Sequence, residues 1–131
     1  MQQARAGSPS TFREALGRHL LAIEEKDLDA LAETVAPDGV LLVMADGRLV
    51  RSTAEFLEAH RGWFAIKHWR LEVKPVQLYE SDGIGVALLH LDYRETPPGQ
   101  PPVRQESLLT LVFRNLGGRW LMFQDQNTPI R

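Results

Sequence analysis

The sequence predicts an α+β domain in which three helices gather on one side of a meandering antiparallel sheet. Three observations carry that expectation. Apolar residues recur at helical spacing over 12–25 and again after Ser52, whereas from Trp69 onward the pattern is β. Capping signatures, Thr11 with Glu14 and Ser52 with Glu55, stand before the first and third helical stretches. The pairs Asp46-Gly47, Asp82-Gly83 and Gly117-Gly118 separate apolar runs as hairpin turns do.

Taken in order, residues 1–9 are polar and small and are expected to form a flexible tail before a single domain over 10–131. The first helix runs to residue 25, with Phe12, Leu16, Leu20 and Ile23 at helical spacing; Gly17 weakens it by about 1 kcal/mol relative to alanine. Asp27 caps a short second helix over 28–35, which Pro37 closes. A β-prone run over 40–44 turns at Asp46-Gly47 into a return strand over 48–51. The third helix, ending near residue 65, carries Phe56, Leu57, His60, Trp63 and Phe64. Strands follow over 69–80 and 84–95, and Pro75 marks the first of them as an edge strand or a bulged one. After a Pro-rich loop over 96–102 comes a C-terminal hairpin. Its apolar runs, 108–113 and 120–123, flank Asn115-Leu116-Gly117-Gly118, and the second changes abruptly into Gln124-Asp125-Gln126-Asn127. The order is helix, helix, strand, strand, helix, then four antiparallel strands.

Composition narrows the function classes. The chain has 131 residues, 44% of them apolar, enough for one domain with a sizeable core. A net charge of −2 leaves no basic excess for a phosphate backbone, so nucleic acid is not an expected partner. The chain has no cysteine, which excludes disulfides and thiolate chemistry and fits a cytoplasmic location. No apolar run reaches the roughly 18 residues that span a bilayer, so no membrane association is expected. His19, His60, His68 and His90 are scattered without ligand spacing, and there is no glycine-rich phosphate loop. Neither a metal nor a cofactor is expected.

The strands argue for a partner. In 84–93, Ile84, Val86 and Leu88 alternate with Gly85, Ala87, Leu89 and Leu91, and 108–113 is apolar on both faces apart from Thr110. An antiparallel sheet with one wet face alternates apolar with polar residues. Three modest helices cover one face; the simplest cover for the other is a second copy, which predicts a homodimer through the sheet face. The alternative is that the helices wrap the central strands from both sides.

Several segments together resemble the SnoaL-like, ketosteroid isomerase-like branch of the nuclear transport factor 2-like superfamily. They are Leu20-Leu21-Ala22-Ile23-Glu24-Glu25-Lys26-Asp27, Val35-Ala36-Pro37-Asp38-Gly39-Val40, and Gly118-Arg119-Trp120 through Gln124-Asp125-Gln126-Asn127-Thr128. The resemblance covers 12–128. It implies a cystatin-like cone: three helices on the concave face of a strongly curved sheet, a pocket between them, and pairing through the convex face. With strict alternation, it points Leu121, Phe123, Asp125 and Asn127 into the pocket and Trp120, Met122, Gln124 and Gln126 toward a partner. The superfamily spans isomerases, cyclases, dehydratases, epoxide hydrolases and association domains, so the fold does not fix the reaction. Ketosteroid isomerase-like members place an aspartate in the first strand and a tyrosine in the first helix. Here the strand reads Val40-Leu41-Leu42-Val43-Met44 and the helix has no tyrosine.

Within that frame Asp125 is the leading acid/base candidate, because partial desolvation raises a carboxyl toward the useful range. Asn127 and Gln105 are candidate donors to an enolate oxygen. His60, His90 (with Asp92) and Tyr93 are further catalytic candidates, and Phe12, Leu16, Trp63 and Phe64 are expected apolar lining. For each there is a plain structural alternative: backbone-satisfying amides, packed core rings, or surface ion pairs. Two functions follow. One is a cofactor-independent isomerase, cyclase or dehydratase acting on a small apolar or carbonyl-containing molecule. The other is a non-catalytic ligand-binding or assembly domain.

Overall fold

The computed structural model describes residues 11–131, so the expected tail over 1–9 lies outside the described residues. Three helices, α1 (Phe12–Glu24), α2 (Leu28–Ala32) and α3 (Thr53–Ala65), accompany six strands. The strands are β1 (Leu41–Val43), β2 (Leu49–Val50), β3 (Trp69–Ser81), β4 (Ile84–Glu95), β5 (Val103–Leu116) and β6 (Arg119–Pro129). They form one sheet in the order β2-β1-β6-β5-β4-β3. All neighbours are antiparallel except β1 and β6, which run parallel, so the sheet is mixed at one edge.

Local chemistry accounts for the boundaries. Thr11 and Glu14 close a full capping box at α1, with Thr11 Oγ1 accepting from the Glu14 amide at 3.0 Å and Glu14 accepting from the Thr11 amide at 3.1 Å. At α3 the expected box is only half made. Ser52 Oγ accepts from the Glu55 amide, but the Glu55 carboxylate receives the Arg51 amide instead. Gly117 and Gly118 both have positive φ, 61° and 93°, which suits the tight β5–β6 turn. Pro75 does both things expected of it: β3 is the edge strand, and its register with β4 shifts between Pro75 and Gln77. The polar string continues β6 rather than ending it.

The core lies between the helices and one face of the sheet. Phe12, Leu16 and Ile23 of α1, Leu31, and Phe56 and Phe64 of α3 pack with Ala87, Leu89, Leu111, Phe113 and Met122. Gly85 permits the closest approach; a Cβ there would stand 2.5 Å from the Phe12 ring. The outer face carries no helix, and there Val86, Leu88, Leu108 and Val112 are half-buried. No described helix is long and apolar enough to cross a membrane.

Candidate active site

Strand β6 changes phase in its middle. In the β5–β6 ladder Val112 opposes Gln124 while Phe113 opposes Met122, so Phe123 is the extra residue of a bulge. The cause lies on the other side of β6. The Met122 amide donates to the Thr34 carbonyl and its carbonyl accepts the Ala36 amide, at 2.9 and 2.8 Å, whereas from Gln124 onward β6 pairs with β1. Two backbone partners in different frames meet at Phe123.

This corrects the strict alternation expected from sequence. Trp120 and Met122 face the helices, with the Trp120 ring 5.7 Å from that of Phe12, rather than a partner. Phe123 faces outward beneath the Arg114 guanidinium, 5.0 Å from its ring centroid, and does not line the pocket. Leu121 is buried but stands outside the main core cluster and outside the cavity. Asp125 and Asn127, past the bulge, do face the helix side.

There they meet a cavity of about 300 Å³, within the range of small-molecule pockets. Its walls are Ile23 of α1, Leu42, Met44 and Ala45 around β1, Ala59, His60 and Trp63 of α3, and Leu71, Leu91 and Leu109 of the sheet. The polar groups are His60, Asp125 and Asn127, and no lysine or arginine is among the lining residues.

Asp125 is 6% exposed, and its Oδ1 has no hydrogen-bond partner among the described residues. Burial alone pushes its carboxyl up to about 7. At neutral pH it therefore holds and releases a proton with comparable ease. His60 Nδ1 lies 2.8 Å from the Phe56 carbonyl. A carbonyl only accepts, so Nδ1 carries the proton and Nε2 is left as an acceptor. Burial lowers the His60 pKa, while the Phe56 contact works the other way.

Behind the cavity stands His19, one helical turn before Ile23. Its Nδ1 donates to Thr34 Oγ1 at 2.8 Å, and that hydroxyl donates to the Leu31 carbonyl at 2.7 Å. Burial, with a smaller contribution from His60, lowers its pKa to about 3, and its Nε2 is buried without a partner among the described residues.

The other candidates lie elsewhere. His90 is on the outer face, bonded to Glu106 at 3.0 Å. Tyr93 packs near Trp63 and Trp69, donates to Glu95 at 2.6 Å, and is pushed up to about 12 by burial and then by Glu95. It does not line the cavity. Gln105 is exposed and donates to the Glu106 carbonyl. Phe12, Leu16 and Phe64 are core residues away from this cavity. Of the expected lining aromatics only Trp63 is there, stacked on Trp69 at 4.2 Å. Sequence reading missed Leu42, Met44, Ala45, Ala59, Leu71, Leu91 and Leu109 as lining. Helical spacing from His60 and Trp63 points to Ala59; the sheet residues needed the register. Among the described residues no group of three or more His, Asp or Glu side chains is placed to hold a metal ion.

Solved structures share this architecture at low identity. A "putative calcium/calmodulin-dependent protein kinase type II association domain" from Thiobacillus denitrificans is 21% identical, with a TM-score of 0.79 over 92% of this chain and 96% of its own. A "putative dehydratase from the NTF2-like family" of Streptomyces avermitilis is 17% identical, with a TM-score of 0.76 over 90% and 93%. A ketosteroid isomerase-like protein from Erwinia carotovora atroseptica is 14% identical, with a TM-score of 0.77 over 91% and 93%. At such identities the likeness establishes the fold, the α+β cone also described as cystatin-like. Comparison with curated proteins gives no match. Residues 13–128 match the sequence profile of the SnoaL-like domain, and the chain belongs to that family.

Proposed function

We propose that the protein is a cofactor-independent acid–base enzyme acting on a small, uncharged, carbonyl-containing molecule, with Asp125 as the proton carrier. The observation that carries this reading is the buried Asp125 carboxyl, raised to about 7 and unpartnered at Oδ1 in an otherwise apolar cavity. A lining without cations disfavours an anionic substrate, since a carboxylate or phosphate would stand unpaired near Asp125. In the proposed step the Asp125 carboxylate takes a proton from the carbon beside the carbonyl. The Asn127 amide then donates to the developing enolate oxygen. Returning the proton at another carbon gives isomerisation; passing it to a departing hydroxyl gives dehydration. His60 Nε2 accepts a substrate hydroxyl.

The test is Asp125→Asn, assayed on a panel of small cyclic ketones and hydroxyketones. The variant keeps its fold and assembly state and loses at least about 100-fold in kcat/KM. Equal activity rejects the role. If Asp125 is the base, kcat/KM climbs as pH rises through about 7; if it is the acid, kcat/KM falls there.

The half-buried apolar residues of the outer face, Val86, Leu88, Leu108 and Val112, favour a second reading, in which the protein is a homodimeric ligand-binding or association-type domain without turnover. The likeness to an association domain is compatible with it. Ligand uptake by the cavity, with no turnover by the parent protein across the panel, decides for this reading.

A further inference from the structure

His19 is a fully buried titratable group to which the proposed reaction gives no part. Its Nε2 has no partner among the described residues, a cost that a phenylalanine in the same place would not carry. What the imidazole supplies, and an apolar ring cannot, is the Nδ1–H donated to Thr34 Oγ1 at 2.8 Å. The use of that bond lies in what Thr34 holds.

β1 pairs with β6 only from Gln124 onward. Before that point residues 34–36 take the place beside β6, bridging to Met122 through Val35 and through the two backbone bonds from Thr34 and Ala36. A segment with no regular structure of its own fixes a neighbour only if it is itself fixed. Each of the three helices contributes a bond that does so. His19 of α1 reaches the Thr34 hydroxyl, and that hydroxyl donates to the carbonyl of Leu31 in α2 at 2.7 Å. Thr53, the first residue of α3, donates to the Ala36 carbonyl at 2.7 Å. The His19 ring also meets Phe113 edge to face at 5.8 Å, and Phe113 stands opposite Met122 in the ladder. His19 therefore touches the neighbours of Met122 on both sides, three residues before Asp125.

We infer that His19 and Thr34 are positioning residues for Asp125. They fix residues 34–36, these fix Met122 and the bulge at Phe123, and the bulge sets where the Asp125 carboxyl stands and how fully water is kept from it. Thr34, Val35 and Ala36 are themselves buried, so the same segment closes the interior beside β6. The groups facing Asp125 offer no substitute for this hold. β1 and β5 set Leu42 and Leu111 opposite it, and the other polar groups of its cavity are His60 and Asn127. The consequence for turnover rests on the acid–base reading above; the place of the carboxyl does not.

The experiment follows the Asp125 side-chain carboxyl by carbon-13 NMR from pH 4 to 9 in the whole protein, beside steady-state kinetics on the ketone panel. The parent midpoint is expected at about 7. Thr34→Val keeps the shape of the side chain and removes the hydroxyl. It lowers the midpoint by about one pH unit, a tenfold change in proton affinity, because water reaches the carboxyl. It also lowers kcat about tenfold while KM changes less than twofold. Thr34→Ser, which keeps the hydroxyl, restores both. Thr53→Val, which removes only the Ala36 bond, moves the midpoint the same way and serves as the test should Thr34→Val not fold. A lower Tm with the midpoint still at about 7 means that the bonds are merely structural and overturns the inference, as does Thr34→Ser behaving like Thr34→Val. An inactive Asp125→Asn with an unmoved midpoint in Thr34→Val rejects the positioning role and keeps the acid–base reading. A moved midpoint with Asp125→Asn fully active does the reverse.

Discussion

Asp92 and Asp125 stand on opposite faces of the same sheet, and their carboxyls are displaced in opposite directions. On the outer face Asp92 lies between the guanidiniums of Arg104 and Arg94, which hold it well below the usual carboxylate range. On the helix face Asp125 has no cation beside it, and burial pushes it up to about 7. The histidines divide in the same way. His90, outside, is bonded to Glu106; His19 and His60, inside, are kept neutral by burial. The outer face neutralises charge by pairing, where solvent keeps ions affordable. The inner face does so by moving protons. The second arrangement leaves the Asp125 carboxyl able to exchange a proton at neutral pH.

The difference between the faces is open to direct attack. The largest effect is expected from neighbouring leucines of β4. Leu89 is fully buried against the helices, and Leu89→Ala costs about 2–5 kcal/mol by chemical denaturation. Leu88 is half-buried on the outer face, and Leu88→Ala in an isolated chain costs below about 1.5 kcal/mol. A Leu88→Ala loss that grows with protein concentration instead places a second copy on that face, as a light-scattering mass of twice the chain would.

Next comes the pH dependence of stability. Asp125 has its folded pKa raised, so its contribution is fully present below about 4 and is lost as pH rises through about 7. A rise from 3.8 to about 7 corresponds to at most about 4 kcal/mol. Asp125→Asn removes that loss, so the variant is the more stable protein at pH 8 and matches the parent near pH 4. A difference independent of pH contradicts the buried, neutral carboxyl. His19 acts with the other sign: its pKa is lowered, so its contribution is present above about 6.5 and is lost as pH falls toward about 3.

The smallest effect belongs to Asp92. Its lowered pKa means that its contribution is present above about 4 and disappears as pH falls below that. Asp92→Asn lowers the Tm slightly at pH 7, and the difference shrinks in 1 M salt because the arginines are exposed. A difference unaffected by salt means that Asp92 supports the sheet by packing rather than charge.

How much of this was legible in the sequence depended on whether a feature is local. Helix starts, the glycine turns and the Pro75 irregularity are written in a few adjacent residues, and each stands where its chemistry demands. Asp125, Asn127, His60 and Trp63 could be singled out as polar or aromatic residues on otherwise apolar elements. The phase of β6 could not, because it is set by backbone bonds from Thr34 and Ala36, nearly ninety residues earlier. The same reason hid the leucines of the cavity wall, which look identical to core leucines until register is known. It also misplaced Tyr93: the residue is on the helix face, but its hydroxyl is committed to Glu95.

The extra residue at Phe123 splits β6 into two independently tunable halves. Without it, period-two geometry would tie Asp125 to the side of Leu121 and away from Trp120 and Met122. With it, the anchoring pair before the bulge and the polar pair after it share a face although they stand three positions apart. Deleting that one residue would exchange inside for outside along half the strand. A change of chain length by a single position, with every side chain of the site still present, would then erase the site.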